Sequence, residues 1–325
     1  MIMTEERIGM NSAGLIYDDS RHYIDHLAPF CALKGWPLIV CEEAVGDLAR
    51  KYYPGLEVLE ASCLDLALPK TIVSCDTRPL IEAALGRKID SDLLWLPHGN
   101  SDKGWDHSSF SALEGHTALV YGNKMIDVIT KQKVATRTIK VGNFRLEYWK
   151  RNQAFYEKIL RSEIDLPPKN KTYLYAPTWY DQEGNGTFWE AFPLLAKHLP
   201  ADCNLIVKIH PNTYARHTAA IEALIGRYKT ILFLSDFPPI YPLLSLSDAY
   251  IGDMSSIGYD YLYWNRPMFF LNSKRLDPNT SPSLFLFRCG FDISLEQIPK
   301  IYSLQDGPFT EIRSQVYEYT FNQTL

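Results

Sequence analysis

Short β-type runs alternate with longer helical stretches along the whole chain. Ser12–Tyr17 reads as an opening strand, Arg21–Lys34 as a helix, Pro37–Cys41 as a second strand and Glu42–Tyr52 as a second helix. Leu56–Leu59, Thr71–Ser74, Leu93–Leu96, Ala118–Val120 and Thr138–Val141 supply further strands. A charged helix follows over Arg145–Ser162. The polar stretch Asp165–Lys171, with two prolines, then stops the helix and stiffens a connection.

Beyond that linker the alternation restarts. Strands are expected at Thr172–Ala176, Asn204–Ile209, Thr230–Leu234, Ala249–Ile251 and Met268–Leu271. Helices are expected at Thr187–His198, Tyr214–Tyr228, Pro239–Ser245 and Ser255–Trp264. Short strands separated by helices build βαβ units and parallel sheets. The fold class is therefore α/β, with two Rossmann-like domains, 1–164 and 165–308, and a cleft between them. A final stretch, Phe309–Phe321, has helical spacing; by analogy with two-domain transferases, 309–325 is expected to pack back on the first domain.

Length agrees with two domains, since 325 residues exceed what one compact core usually holds. Aromatic residues make up 13% of the chain, which serves large cores or a stacking cleft equally well. Net charge is −5 with no basic run, so nucleic acid is excluded as a partner and attraction to an anionic membrane is weak. Phosphate binding must come from a few local groups. Six cysteines lie far apart without a C-x-x-C pair, so neither a metal site nor a disulfide framework is expected. The polar, acidic start is unlike a signal peptide, and no apolar run approaches a membrane helix.

Candidate chemistry concentrates at strand ends. Between Ile251 and a helix at Ser255, the run Gly252-Asp253-Met254-Ser255-Ser256 presents backbone N–H groups, two hydroxyls and a helix N-terminus. That is a seat for phosphate; it is equally an ordinary N-cap. Asp260, further along the helix, is either a solvent-facing polar residue or a ribose-binding carboxylate. His210 ends a strand before Pro211, with Lys208 beside it, and is placed to donate to a diphosphate; a packed structural histidine is the alternative. His98, in Leu96-Pro-His-Gly-Asn100, is a general base for an alcohol or a turn histidine. Gly99 permits close backbone approach or a positive φ. The other six histidines, at 22, 26, 107, 116, 198 and 217, read as surface or structural. Thr178 or Trp179 edges the cleft and Arg145 lies near the hinge. The loop Glu183–Thr187 reads as a plain turn, lacking the Lys-Ser/Thr ending of a P-loop. Nucleotide-dehydrogenase, serine-hydrolase and zincin motifs are absent from the sequence.

Taken in order, these stretches resemble the CDP-glycerol glycerophosphotransferase family of teichoic-acid polymerases and primases over roughly residues 93 to 272. His98-Gly-Asn-Ser-Asp-Lys103 looks like the family's His-Gly-Thr-x-x-Lys, Ala176-Pro-Thr-Trp179 like its Ala-Pro-Thr-Trp, and Lys208-Ile-His-Pro211 like its basic-x-His-Pro. Asp248–Ser256 with Asp260 and Asn265-Arg-Pro267 is similar to its Asp-Tyr-Ser-Ser block. Asn100, Tyr180 and Met254 stand where that pattern has threonine, arginine and tyrosine.

The resemblance implies a glycosyltransferase-B type fold and a transferase acting on a CDP-activated donor. His98 would accept the acceptor's proton and His210 would stabilise the transferred and leaving phosphates, releasing CMP. Lys208, Asp253, Ser255, Ser256, Asp260 and Thr178 fall on the donor side; Lys103, Gly99 and Arg145 fall on the acceptor side. CDP-glycerol or a similar nucleotide is the implied donor. A polyol-phosphate, saccharide or lipid-linked molecule is the acceptor, with no metal or cofactor. The expected location is cytoplasmic, with at most peripheral contact at the inner face of the membrane. Two other readings keep the fold: a nucleotide-sugar glycosyltransferase, and a non-catalytic polymer-binding homologue.

Overall fold

The computed structural model describes residues 11–62, 68–103, 110–181 and 184–322. The chain's first ten residues, Cys63, His107, Glu183 and the last three residues of the terminal stretch lie outside the described residues. Among the described residues thirteen strands form two sheets, and the chain divides into two compact units. The first comprises 1–99, 107–155 and 319–325; the second comprises 100–106 and 156–318.

In the first unit, β1 (Ser12–Ile16), α1 (Ile24–Lys34), β2 (Leu38–Val40), α2 (Glu43–Tyr52) and β3 (Val58–Glu60) lead to β4 (Thr71–Ser74). Then come α3 (Arg78–Leu85), β5 (Asp92–Trp95), β6 (Thr117–Val120), α4 (Asn123–Lys131), β7 (Arg137–Lys140) and α5 (Phe144–Arg151). The sheet order is β3-β2-β1-β4-β5-β6-β7, all parallel. Its central strands are buried on both faces, which is why they read as short apolar runs instead of alternating ones. Ala13, Leu15, Ile39, Ile72 and Leu93 pack with Ile81 and Leu85 of α3 in one core cluster. Order reverses between β1 and β4, and the strand ends at that point are the usual place for a ligand.

The second unit repeats the plan. It contains α6 (Gln153–Glu163, all but its start), β8 (Lys171–Tyr175), α7 (Phe188–His198), β9 (Cys203–Lys208), α8 (Pro211–Arg227), β10 (Leu232–Leu234) and α9 (Ile240–Leu246). It continues with β11 (Ala249–Gly252), α10 (Ile257–Tyr261), β12 (Met268–Leu271), β13 (Phe291–Ile293) and α11 (Thr310–Phe321, all but its last three residues). The parallel order is β10-β9-β8-β11-β12-β13, so the reversal lies between β8 and β11. Leu205, Val207, Ile251 and Phe269 on the strands meet Phe188, Phe192 and Leu195 of α7.

Three sequence expectations are corrected here. The charged helix over Arg145–Ser162 is two helices, parted at Asn152, whose Nδ2 donates to the Tyr148 carbonyl at 2.9 Å. The Ser255–Trp264 helix is only five residues of α-helix, continued by a 3-10 turn at Leu262–Trp264. The first domain does not run unbroken to 164, because 100–106 and the chain from Tyr156 cluster with the second sheet. At the other end, residues from Tyr319 onward cluster with the first unit. Phe321 meets Tyr121 edge to face at 5.6 Å, and the Tyr319 hydroxyl donates to Asp127 at 2.6 Å.

Candidate active site

The second unit carries most of the candidate residues at the ends of β8, β9 and β11. β11 leaves the sheet through Gly252, where a side chain would strike the Tyr250 hydroxyl at 2.1 Å, so the turn requires glycine. Asp253 follows, only 1% exposed. Its Oδ1 accepts the Thr178 backbone N–H at 2.7 Å, and its Oδ2 accepts the N–H and hydroxyl of Thr187 at 3.1 and 2.7 Å. Burial pushes this carboxyl up to about 6, and the hydrogen bonds from Thr178 and Thr187 only partly offset it. Asp253 therefore staples the ends of β8 and β11 together across the reversal point. Expected among donor contacts, it is turned inward instead.

Ser255 and Ser256 stand next in the turn, Ser255 buried and Ser256 half-buried. Ser256 is the N-cap of α10, yet its side chain makes no capping hydrogen bond. The ordinary N-cap reading thus fails for Ser256. Asp260 is 2% exposed and accepts from the Tyr241 hydroxyl at 2.9 Å. This corrects the solvent-facing reading: the carboxylate is buried and tied to α9.

His210 is the N-cap of α8, with Pro211 as the first helical residue. Its Nδ1 accepts the Asn212 backbone N–H at 3.1 Å. That bond selects one neutral tautomer, with hydrogen on Nε2. Lys208, two residues earlier at the end of β9, is 9% exposed and donates from Nζ to the Ser235 carbonyl at 3.3 Å. The Trp179 ring lies 6.4 Å from the His210 ring, and the Arg216 guanidinium sits over the same indole at 4.7 Å.

Lys103 belongs with this group. It reads from sequence as an acceptor-side residue of the first domain, but its ammonium donates to the Thr178 hydroxyl and pairs with Asp181 at 3.0 Å. Asp102 anchors the same segment, accepting from the Tyr259 hydroxyl at 2.5 Å and the Leu286 N–H at 3.0 Å. Asp181 in turn accepts the backbone and side-chain N–H of Asn185 at 3.1 and 3.0 Å. Burial raises the Asp181 pKa, but the Asn185 hydrogen bonds and the Lys103 charge outweigh it and hold it below the usual carboxylate range. The described part of the Glu183–Thr187 loop is thus a tied turn, with Gly184 at φ +67.

In the first unit His98 is exposed at the end of β5, followed by Gly99 at φ +118, a conformation that favours glycine. The His98 ring lies 5.2 Å from Tyr23 and 5.5 Å from His22. The Tyr23 hydroxyl donates to Asp76 at 3.0 Å, and Asp76 sits just past the end of β4. Burial raises the Asp76 pKa despite hydrogen bonds from Tyr23 and Tyr17. Sequence reading did not single out Tyr23 or Asp76 and took His22 as surface or structural; the only signal is that Tyr17 and Asp76 follow the two strands at the reversal point. Arg145, expected on the acceptor side, is 4% exposed. Its guanidinium is bound to Asp25, through the carbonyl at 3.0 Å and the carboxylate, so it clamps α5 to α1. Among the described residues, no group of three or more His, Cys, Asp or Glu is placed to hold a metal ion.

Residues 130–275 match the family model described as CDP-Glycerol:Poly(glycerophosphate) glycerophosphotransferase. The match takes in His210, Ser255 and Asp260 and leaves His98 outside. A teichoic acid glycerol-phosphate transferase of Staphylococcus aureus is 26% identical over 125 residues, 37% of this chain and 31% of that protein. A teichoic acid ribitol-phosphate primase of Bacillus spizizenii is 33% identical over 104 residues, 31% of this chain and 25% of that protein. The chain therefore matches about a third or less of these relatives' lengths. The wall teichoic acid polymerase TagF, in a structure soaked with CDPG, superposes with TM-score 0.62 at 15% identity, covering 98% of this chain and 85% of that one. Over residues 130–275 the chain is thus similar in sequence to the CDP-glycerol:poly(glycerophosphate) glycerophosphotransferase family, on a two-unit α/β fold of the glycosyltransferase-B type.

Proposed function

We propose that the chain is a transferase that moves an alditol phosphate, glycerol phosphate first, from a CDP-activated donor to an acceptor hydroxyl in wall-polymer synthesis. The observation that carries the reading is the seat of His210. Capping α8 through Nδ1 commits the neutral ring to presenting hydrogen on Nε2, at a strand end beside Lys208. An Nε2–H donor in that position stabilises charge growing on the leaving phosphate. The Ser255–Ser256 turn, at the end of β11, supplies neutral donors for the diphosphate.

In the proposed step the acceptor oxygen attacks the phosphorus bearing the alditol, and His98 takes the hydroxyl proton. The bond from that phosphorus to the bridging oxygen breaks, and its electrons leave with CMP. No electron transfer is involved, and the reaction uses no metal or cofactor. Acceptors of this chemistry are polyol phosphates, saccharides or lipid-linked molecules. Among the described residues no helix is long and apolar enough to cross a membrane; we propose peripheral contact at most.

The test is a donor panel of CDP-glycerol, CDP-ribitol and UDP-sugars, with released nucleotide quantified. CMP from a CDP-alditol is the expected result, and it should be lost in His98→Ala and His210→Ala. UDP release without any CMP would move the reading to a nucleotide-sugar glycosyltransferase. Biological function surviving both substitutions would mark a non-catalytic homologue.

A further inference from the structure

Within the second unit, a cavity of about 340 Å³ opens between the residues that follow β8 and the first turns of α8. It lies at the small end of the range for small-molecule sites, about 300–1,000 Å³. Trp179, Trp189, Glu190, Asn212, Arg216 and His217 line it. Thr178, a donor-side residue, lines it as well; the donor-side serines do not. None of the catalytic steps proposed above uses this cavity, and His217 had read from sequence as a surface or structural residue.

Its walls are held in place. Arg216 lies over the Trp179 ring at 4.7 Å, a cation–π contact that keeps the guanidinium against the wall. Trp189 is fixed edge-on by Phe188 at 5.0 Å and His217 at 5.2 Å. Two indoles thus supply apolar surface, with polar groups of three kinds beside them. Glu190 only accepts hydrogen bonds, Arg216 only donates, and Asn212 does both.

A ligand matched to that lining must both donate and accept, and must carry apolar faces. One carboxylate and one guanidinium also leave the wall near neutrality, which disfavours an anionic ligand. A nucleotide or phosphate would meet Glu190 as a like charge. Sugar hydroxyls both donate and accept, and pyranose C–H faces lie flat on indole. We infer that this cavity is a saccharide subsite, seating a neutral sugar ring of the acceptor. The word acceptor rests on the function proposed above; the subsite itself rests on the cavity. The Trp179 ring, which lines the cavity, lies 6.4 Å from the His210 ring.

The test titrates the whole chain with two neutral disaccharides, cellobiose and N,N′-diacetylchitobiose, and separately with CMP. Tryptophan fluorescence and saturation-transfer NMR report binding. Wild-type protein should show saturable disaccharide binding, weakened about tenfold or more in Glu190→Gln and lost in Trp189→Ala, with CMP affinity within about twofold of wild type. Glu190 is exposed and the glutamine isosteric, so that variant folds even if Trp189→Ala does not. Failure of both disaccharides to saturate while CMP binds would overturn the inference, and so would a tenfold loss of CMP affinity in Glu190→Gln. Disaccharide binding without CMP binding or release would instead strike the donor reading and leave the subsite standing.

Discussion

Replacing Asp253 by asparagine removes a buried charge while keeping the side chain's shape. Because burial raises the carboxyl to about 6, from an ordinary value of 3.8, the folded state holds the proton more tightly than the unfolded state. Stability from this group is therefore full below the unfolded pKa and falls as pH rises towards about 6. The whole shift corresponds to about 3 kcal/mol, of which about 1 kcal/mol is lost between about pH 5 and about pH 7. Asparagine has no such dependence. It also turns an amide N–H₂ toward the Thr187 N–H that Asp253 accepts at 3.1 Å, leaving one buried donor unmatched at about 1–3 kcal/mol. Urea unfolding of both proteins, followed by tryptophan fluorescence near pH 5 and near pH 7, reads the difference. The gap between wild type and Asp253→Asn should narrow by about 1 kcal/mol from the lower to the higher pH. Parallel profiles, or a gap that widens, would refute the assignment of a costly buried charge to Asp253.

His210→Asn separates capping from catalysis, because asparagine is a strong N-cap. Its unfolding midpoint should stay close to wild type while CMP release drops about 10²–10³-fold; retained activity would remove His210 from the mechanism. Arg145→Met strands the Asp25 carboxylate, which keeps the Tyr53 hydroxyl at 2.9 Å, and should cost about 3–5 kcal/mol in thermal or urea unfolding. Activity per folded molecule should be unchanged in that variant. Gly99→Ala forces a side chain into φ +118 at an expected cost of about 1–3 kcal/mol, read by unfolding, with loss of CMP release because His98 is its neighbour.

Much of the architecture is legible in the chain because both sheets are parallel and buried. Buried parallel strands are short apolar runs, and their ends are where Pro, Gly and polar residues gather: Leu96-Pro-His98, Ile209-His-Pro211, Gly252-Asp253. Hence His98, His210 and the serine turn fall at strand ends as expected. The last strand of the second sheet, Phe291–Ile293, is only three residues with an exposed Asp292 at its centre, and nothing in its periodicity marks it. The seats of Asp253, Asp260 and Arg145 were not legible in the sequence for a common reason. A motif shows that a polar residue sits near a strand end; it does not show which way the side chain turns. Each turns inward to buried donors or acceptors that the sequence places 19 to 120 residues away. Trp189 and His217 were invisible as a pair because their rings meet only once α7 and α8 are brought side by side.

The run His98–Lys103 shows why contiguity in sequence misleads about a site. Read as one motif, it puts both ends on the acceptor side. In the structure His98 and Gly99 belong to the first unit and Asn100–Asp106 to the second. What decides the switch is a single carboxylate. Asp102 is 5% exposed and gathers the Tyr259 hydroxyl and the Leu286 N–H, two buried donors 157 and 184 residues further along the chain. Leaving either donor without an acceptor would cost about 1–3 kcal/mol, so the segment stays where they are. Lys103 then follows by two residues' reach and lands on Thr178 and Asp181. A short polar segment has no hydrophobic face to assign it to a core. Its place is set by long-range donors instead, and the same capture that hides the boundary from the sequence makes Lys103 a neighbour of Thr178.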